Sequence, residues 1–205
     1  RKVDQLLSAS MAYRDYQAPG VLKDEDELLG KAGAAAEQID GLFSDLAGDN
    51  RSFDSSGSWK DQVLALQAEW EQLKQDDNYQ GNIDPQFKYY HEFVQKVLAL
   101  LPATIEISGL GQDASRENLL LLGMVRNALP EARTVVGRVR SYGIFALVDG
   151  QVGYNLSEIL NEIYDQLTNR SSLLSPALSV AVETSPKLSS RAGGAVTRVD
   201  ESLMA

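Results

Sequence analysis

The sequence predicts an all-α protein: an elongated antiparallel helical bundle, built either as two stacked four-helix modules sharing long helices or as one long bundle. Three observations lead there. Apolar residues recur with a seven-residue period in one segment after another, which is the helical signal. No segment alternates with the period of two that a half-buried strand requires. Helix start signals, short polar side chains that satisfy free amides in a first turn, fall where the apolar stripes begin.

The first helix is expected over 1–17, stopped by Pro19-Gly20. The second, 24–48, carries Leu28, Ala32, Ala35, Ile39, Leu42 and Leu46 and opens with Asp24 and Glu27 at capping-box spacing. Ser58 with Asp61 opens a third over 58–77, striped by Trp59, Val63, Leu66, Trp70 and Leu73. The fourth, 85–108, starts at Asp84-Pro85, where proline lacks the amide that would need a cap, and is striped by Phe87, Tyr90, Val94, Val97 and Leu101. The clearest stripe, from Leu121 through Val125, Ala128, Ala132, Val135, Val139 and Tyr142 to Ala146, marks one helix over 115–149, on the order of 50 Å long at 1.5 Å per residue. Asn155 with Glu158 opens the last, 155–204, striped by Leu156, Leu160, Ile163, Leu167 and Leu174 and expected to break near Pro176, Pro186 or Gly193-Gly194. The helices at 24–48 and 58–77 laid end to end would balance the long one, which is the argument for stacked modules. Without an internal repeat or a low-complexity linker, residues 1–205 read as one domain.

Composition narrows the function. A formal net charge of −10 repels phosphate backbones and anionic lipid surfaces, so nucleic acid is excluded as a natural partner. The absence of cysteine fits an oxidising compartment. The longest apolar runs, such as Leu119 to Val125, fall far short of the roughly 20 residues that cross a bilayer. With one histidine and no cysteine, histidine or thiolate zinc sites and Cys-His nucleophile pairs are excluded by counting, and no Gly-x-Ser-x-Gly or Glu-x-x-His occurs. Nothing calls for a cofactor or a metal, and the chain does not read as an enzyme.

Individual motifs mostly have structural explanations. His91, beside the Phe87–Tyr90–Val94 stripe, reads as a hydrogen-bonded flank residue. Asp24 to Glu27 is a negative first turn favoured by the helix dipole. Arg126, Arg133 and Arg140, seven apart, share one face, which is either solvated or an anion site, because guanidinium forks bind carboxylates bidentately.

Ser108-Gly109-Leu110, then Asp113, then Leu129-Pro130-Glu131 and Gly137-x-x-Arg140-x-x-Gly143 stand in a fixed order. This stretch resembles the periplasmic helical sensor regions that lie between two transmembrane helices in bacterial methyl-accepting chemotaxis receptors and sensor histidine kinases. Trp59, Trp70 and Tyr13-Arg14-Asp15 extend the resemblance over most of the chain. Four positions depart from it: Ala114 stands in place of a proline, Leu119-Leu120 in place of a tyrosine pair, and Ala128 in place of an arginine. The resemblance implies the periplasmic portion of an inner-membrane receptor, joined to the membrane by flanking helices outside this fragment, homodimeric, and responsive to a small ligand such as a carboxylate. On that reading Arg14 and Arg140 are the expected anion contacts, and Asn127, Ser108 and Tyr142 the neutral hydrogen-bonding ones. Two structural roles stay open: Arg14 tying down the Pro19-Gly20 turn, and Arg140 pairing with a glutamate. The alternative function is a structural or adaptor bundle that dimerises without a small-molecule ligand.

Overall fold

A computed structural model describes residues 2–48, 57–76, 79–109, 112, 116–184, 189–190 and 194, and the regular elements among them are all helical. They are α1 (Lys2–Lys23), α2 (Asp26–Ala47), α3 (Ser58–Gln75), α4 (Ile83–Ile107), α5 (Arg116–Gly123), a π-turn (Met124–Ala128), α6 (Leu129–Asp149) and α7 (Tyr154–Thr184). The all-α class is as the sequence predicts. No described helix is long and apolar enough to cross a membrane.

Ion pairs and aromatic contacts fix the packing. Lys2 meets Asp45, so α1 and α2 are antiparallel. Trp59 with Thr104 and Glu69 with Lys96 set α3 antiparallel to α4. Asp4 with Arg133 and Lys23 with Asp149 lace α1 parallel to α6, while Arg138 facing Glu162 makes α6 and α7 antiparallel. The result is a three-layer arrangement: α1 and α4 in the centre, α2 and α3 on one side, α6 and α7 on the other. Two four-helix groups do share long helices, but the shared pair is α1 and α4, and the groups lie side by side. The reason is that α2 and α3 bury their stripes against α1 and α4 instead of lining up along 116–149. Given these directions, the amino end of α1 and the carboxyl end of α7 lie toward the same end of the bundle.

The core divides the same way. Between α1, α2, α3 and α4, Trp70 is fully buried, with Tyr13 edge-on at 4.8 Å and Phe93 at 5.3 Å. Its indole N–H donates to Asp40 Oδ1 at 2.6 Å. Between α4 and α6, Phe87 packs edge-on against Tyr142 at 5.4 Å. Aromatic pairs in these geometries contribute about 0.5–1.5 kcal/mol each beyond burial.

Several boundaries move from their expected places. Helix α1 runs through Pro19-Gly20 to Lys23, because Ala18, Pro19 and Gly20 are buried against α2, where a Cβ at Gly20 would stand 3.1 Å from Leu29. Tertiary packing there outweighs the hydrogen bond that proline forfeits. The turn falls at Asp24, in the left-handed region at φ 52°, and not at a capping box. Asn82, two residues before the expected cap at Asp84, caps α4 by accepting from the Ile83 amide at 2.6 Å. Asn155 lies inside α7 instead of capping it.

The long helix of 115–149 is interrupted by the π-turn. Pro130 explains it: the ring clashes with the carbonyl four residues back and has no amide to donate, and widening the turn, with the Leu129 N–H donating to Met124 O, absorbs both defects. Pro102 lies inside α4, and Pro176 inside α7, which continues past it. Counting along the antiparallel partners from Asp84–Tyr142 and Arg138–Gln166 brings both prolines near the height of the π-turn. The other expected breaks, Pro186 and Gly193, lie outside the described residues.

Candidate functional site

Between α4, α6 and α7 lies a cavity of about 720 Å³, within the usual size range of small-molecule sites. Each helix presents a polar stripe to it at helical spacing. On α4 this is Asp84, Lys88, His91 and Gln95; on α6 it is Glu131, Thr134, Arg138 and Tyr142; on α7 it is Glu162 and Gln166. Apolar Phe87, Leu98, Val135 and Ile159 complete the wall.

Asp84 accepts from the Tyr142 phenol at 2.6 Å and pairs with Lys88. Burial raises its pKa, but the bonds from Lys88 and Tyr142 and the Lys88 and Arg138 charges outweigh that and hold the carboxyl below its ordinary value. Burial and the bond to Asp84 push the Tyr142 phenol upward, so it stays a protonated donor. Arg138 is largely covered; it donates to Gln166 Oε1 at 3.0 Å, and the Glu162 carboxylate stands 3.8 Å away, beyond hydrogen-bond reach.

His91 connects this cavity to the core. Its Nδ1 lies 2.8 Å from Arg14 Nη1 and its Nε2 2.7 Å from the Gln95 amide, with the ring stacked on Phe87. Arginine can only donate, so Nδ1 accepts and the proton sits on Nε2; the Gln95 end facing it is then the carbonyl oxygen. Burial and the Arg14 and Arg138 charges lower the His91 pKa to about 4, so the ring is neutral at physiological pH.

Behind His91, Arg14 is fully buried. Its Nε and Nη2 both donate to Asp15 Oδ1, at 2.9 and 2.7 Å, and its guanidinium lies 4.4 Å from the Phe87 ring centroid. Arg140 approaches the second Asp15 oxygen at 3.4 Å. Desolvation raises Asp15 to about 6, opposed by Arg14 and Arg140, so the carboxylate is ionised at neutral pH. This cluster fits against α6 only because residue 137 is glycine: a Cβ there would overlap Arg14 Nη2 and sit 3.0 and 3.1 Å from the Asp15 oxygens.

The expected ligand residues are thus distributed. Tyr142 lines the cavity. Arg14 lies one side chain behind it, through His91, while Arg140 is half exposed and turned to an aspartate of α1. Arg133 likewise reaches Asp4, so that arginine face joins α6 to α1. Ser108 is exposed at the end of α4, its hydroxyl donating to the Ile105 carbonyl at 2.9 Å. Asn127 is on the π-turn, its side chain outside the described residues. Arg138, Lys88 and Glu162 were not singled out by sequence. The available signal was the second, polar stripe on α4 and α6, one position beside each apolar one. Among the described residues no cluster of side chains could hold a metal ion.

Comparison with protein-family models, with curated proteins and with solved structures finds no match to this chain. The likeness to helical sensor regions rests on its short motifs.

Proposed function

We propose that this chain is the extracytoplasmic ligand-sensing domain of a bacterial transmembrane receptor, either a chemoreceptor or a sensor histidine kinase, working as a homodimer on the periplasmic side of the inner membrane. A small ligand carrying a carboxylate occupies the cavity between α4, α6 and α7. The observation that carries this reading is His91, which forms part of the cavity wall and hydrogen-bonds Arg14 of α1 at 2.8 Å. A ligand that repositions Arg138 or His91 changes the support of Arg14, and with it the set of α1 against α6. Binding shifts a two-state equilibrium only by its difference in affinity for the two states, and such a shared side chain supplies that difference. The common end reached by α1 and α7 suits transmission through both.

The competing reading, a structural bundle without a ligand, draws on an apolar strip along the outer face of α6 that includes Val136, 47% exposed, and Leu147, 83% exposed. A thermal-unfolding screen against small organic acids, amines and amino acids separates the two. A true ligand at a hundred times its Kd adds about 2.7 kcal/mol of stability, and Arg138→Gln is expected to abolish that gain. A screen in which no compound produces an Arg138-dependent shift refutes sensing by this cavity.

A further inference from the structure

We infer that the ligand of the α4–α6–α7 cavity is dipolar, carrying one anionic and one cationic group on a partly apolar body, in place of the plain carboxylate expected from sequence. This rests on reading the cavity as the ligand site. The cavity wall carries two cations, Lys88 and Arg138, against three carboxylates, Asp84, Glu131 and Glu162. A dicarboxylate would add two negative charges to a wall that already has an excess of one, in a partly desolvated space where like charges repel strongly.

A simple amine is also mismatched, because the guanidinium of Arg138 faces the same space. Only 18% of that side chain is exposed, its Nη1 donates to the neutral Gln166 carbonyl, and its ion-pair partner, the Glu162 carboxylate, stands 3.8 Å off, too far for a hydrogen bond. Such a fork suits a ligand carboxylate. Beside it, Glu162 accepts from Gln166 at 2.7 Å, and a carboxylate has lone pairs left for a ligand ammonium. A zwitterion satisfies both groups and leaves the wall charge unchanged. Phe87, Leu98, Val135 and Ile159 give its apolar part a surface. The neutral His91 adds no charge to this balance.

Matched probes test this by calorimetry and thermal unfolding. They are α- and ω-amino acids with aliphatic or aromatic bodies, their N-acetyl derivatives as pure anions, their carboxamides as pure cations, and succinate and malate as dianions. At least one zwitterion is expected to bind at least tenfold more tightly than its N-acetyl and carboxamide counterparts, and Arg138→Gln and the exposed Glu162→Gln should each weaken it at least tenfold. Equal binding of an N-acetyl derivative or of a dicarboxylate, lost in Arg138→Gln, overturns the dipolar assignment and leaves the sensing function standing. No binding by any zwitterion also overturns the assignment, and the wider screen above then decides the sensing reading separately. Tight zwitterion binding unaffected by both substitutions overturns the siting in this cavity.

Discussion

Gly137→Ala is the sharpest probe of how α1 is held. In an exposed helix interior, alanine for glycine stabilises by about 1 kcal/mol. At 137 the new methyl overlaps the Arg14 guanidinium and crowds both Asp15 oxygens. Arg14 is the flexible partner, but it is fully buried and held by Asp15, His91 and the face of Phe87, so moving it breaks those contacts. Relief requires breaking the buried pair, at a cost of about 3–5 kcal/mol. Subtracting the helix gain leaves a net loss of about 2–4 kcal/mol. Gly143 supplies the control: it lies on the same helix, and a Cβ there meets nothing within 4 Å. Gly143→Ala should therefore be neutral or stabilising by up to about 1 kcal/mol. Urea unfolding followed by far-ultraviolet circular dichroism measures both. Opposite signs for the same substitution on one helix are the expected result; a Gly137→Ala protein as stable as its parent refutes the packing of Arg14 against α6.

Other consequences can be measured directly. The His91 pKa, about 4 when folded against 6.5 when unfolded, means the folded state binds fewer protons between those values, so its stabilising contribution is complete above pH 6.5 and is lost as pH falls toward 4. Discounted for the partial exposure of the ring, the loss is about 1.5 kcal/mol. As this is the only histidine, selective labelling gives one ring spectrum, which should report a neutral imidazole at pH 5.5; an imidazolium at that pH contradicts the assignment. Asp15 runs the other way: raised to about 6 from 3.8, it makes the fold gain stability as pH drops through that window. His91→Gln should therefore expose a stability that increases on acidification from pH 6 to 4, and a monotonic fall excludes a raised Asp15. Trp70→Phe, which shrinks a fully buried ring and removes its indole donor to the half-exposed Asp40, should cost about 2 kcal/mol in denaturant melts; a change under about 0.5 kcal/mol would mean that ring and bond contribute little.

Heptad spacing made the core faces legible where the partner was a continuous apolar surface. Trp59, Val63, Leu66 and Trp70 on α3 and Phe87, Tyr90, Val94, Val97 and Leu101 on α4 are buried as the stripes predict, and Leu73, the last of the α3 stripe, is half-buried. Along the π-turn and α6 the same rule mixed two faces: Val135 and Tyr142 are buried, while Val125 and Val139 lie on the exposed side. A helix with one face on α1, a second on a polar cavity and a third outward has no single apolar stripe. The ends of α1 and α4 moved because burial of Gly20 and the cap at Asn82 are tertiary and local effects that periodicity does not contain. Of the site, Tyr142 was legible through its motif, whereas Arg138 was overlooked in favour of its seven-spaced neighbours. The buried position of Arg14 could not be read from sequence, since nothing along the chain announces that the glycine making room for it lies 123 residues away at Gly137.

The interrupted hydrogen-bond ladders have a mechanical meaning. Pro102, the π-turn before Pro130, and Pro176 remove hydrogen-bond rungs from neighbouring helices near one level, and a helix that has lost a rung bends more easily there. That level is a collar of missing rungs. Helix α1 does not take part in it, because its Asp4 already pairs at the height of Arg133, just past the collar, and its own proline is near the opposite end. The weakened rungs of α4, of the α5–α6 junction and of α7 therefore share a level that α1 leaves clear, while the gap in α1 at Pro19 is backed by α2 through Gly20 and Leu29.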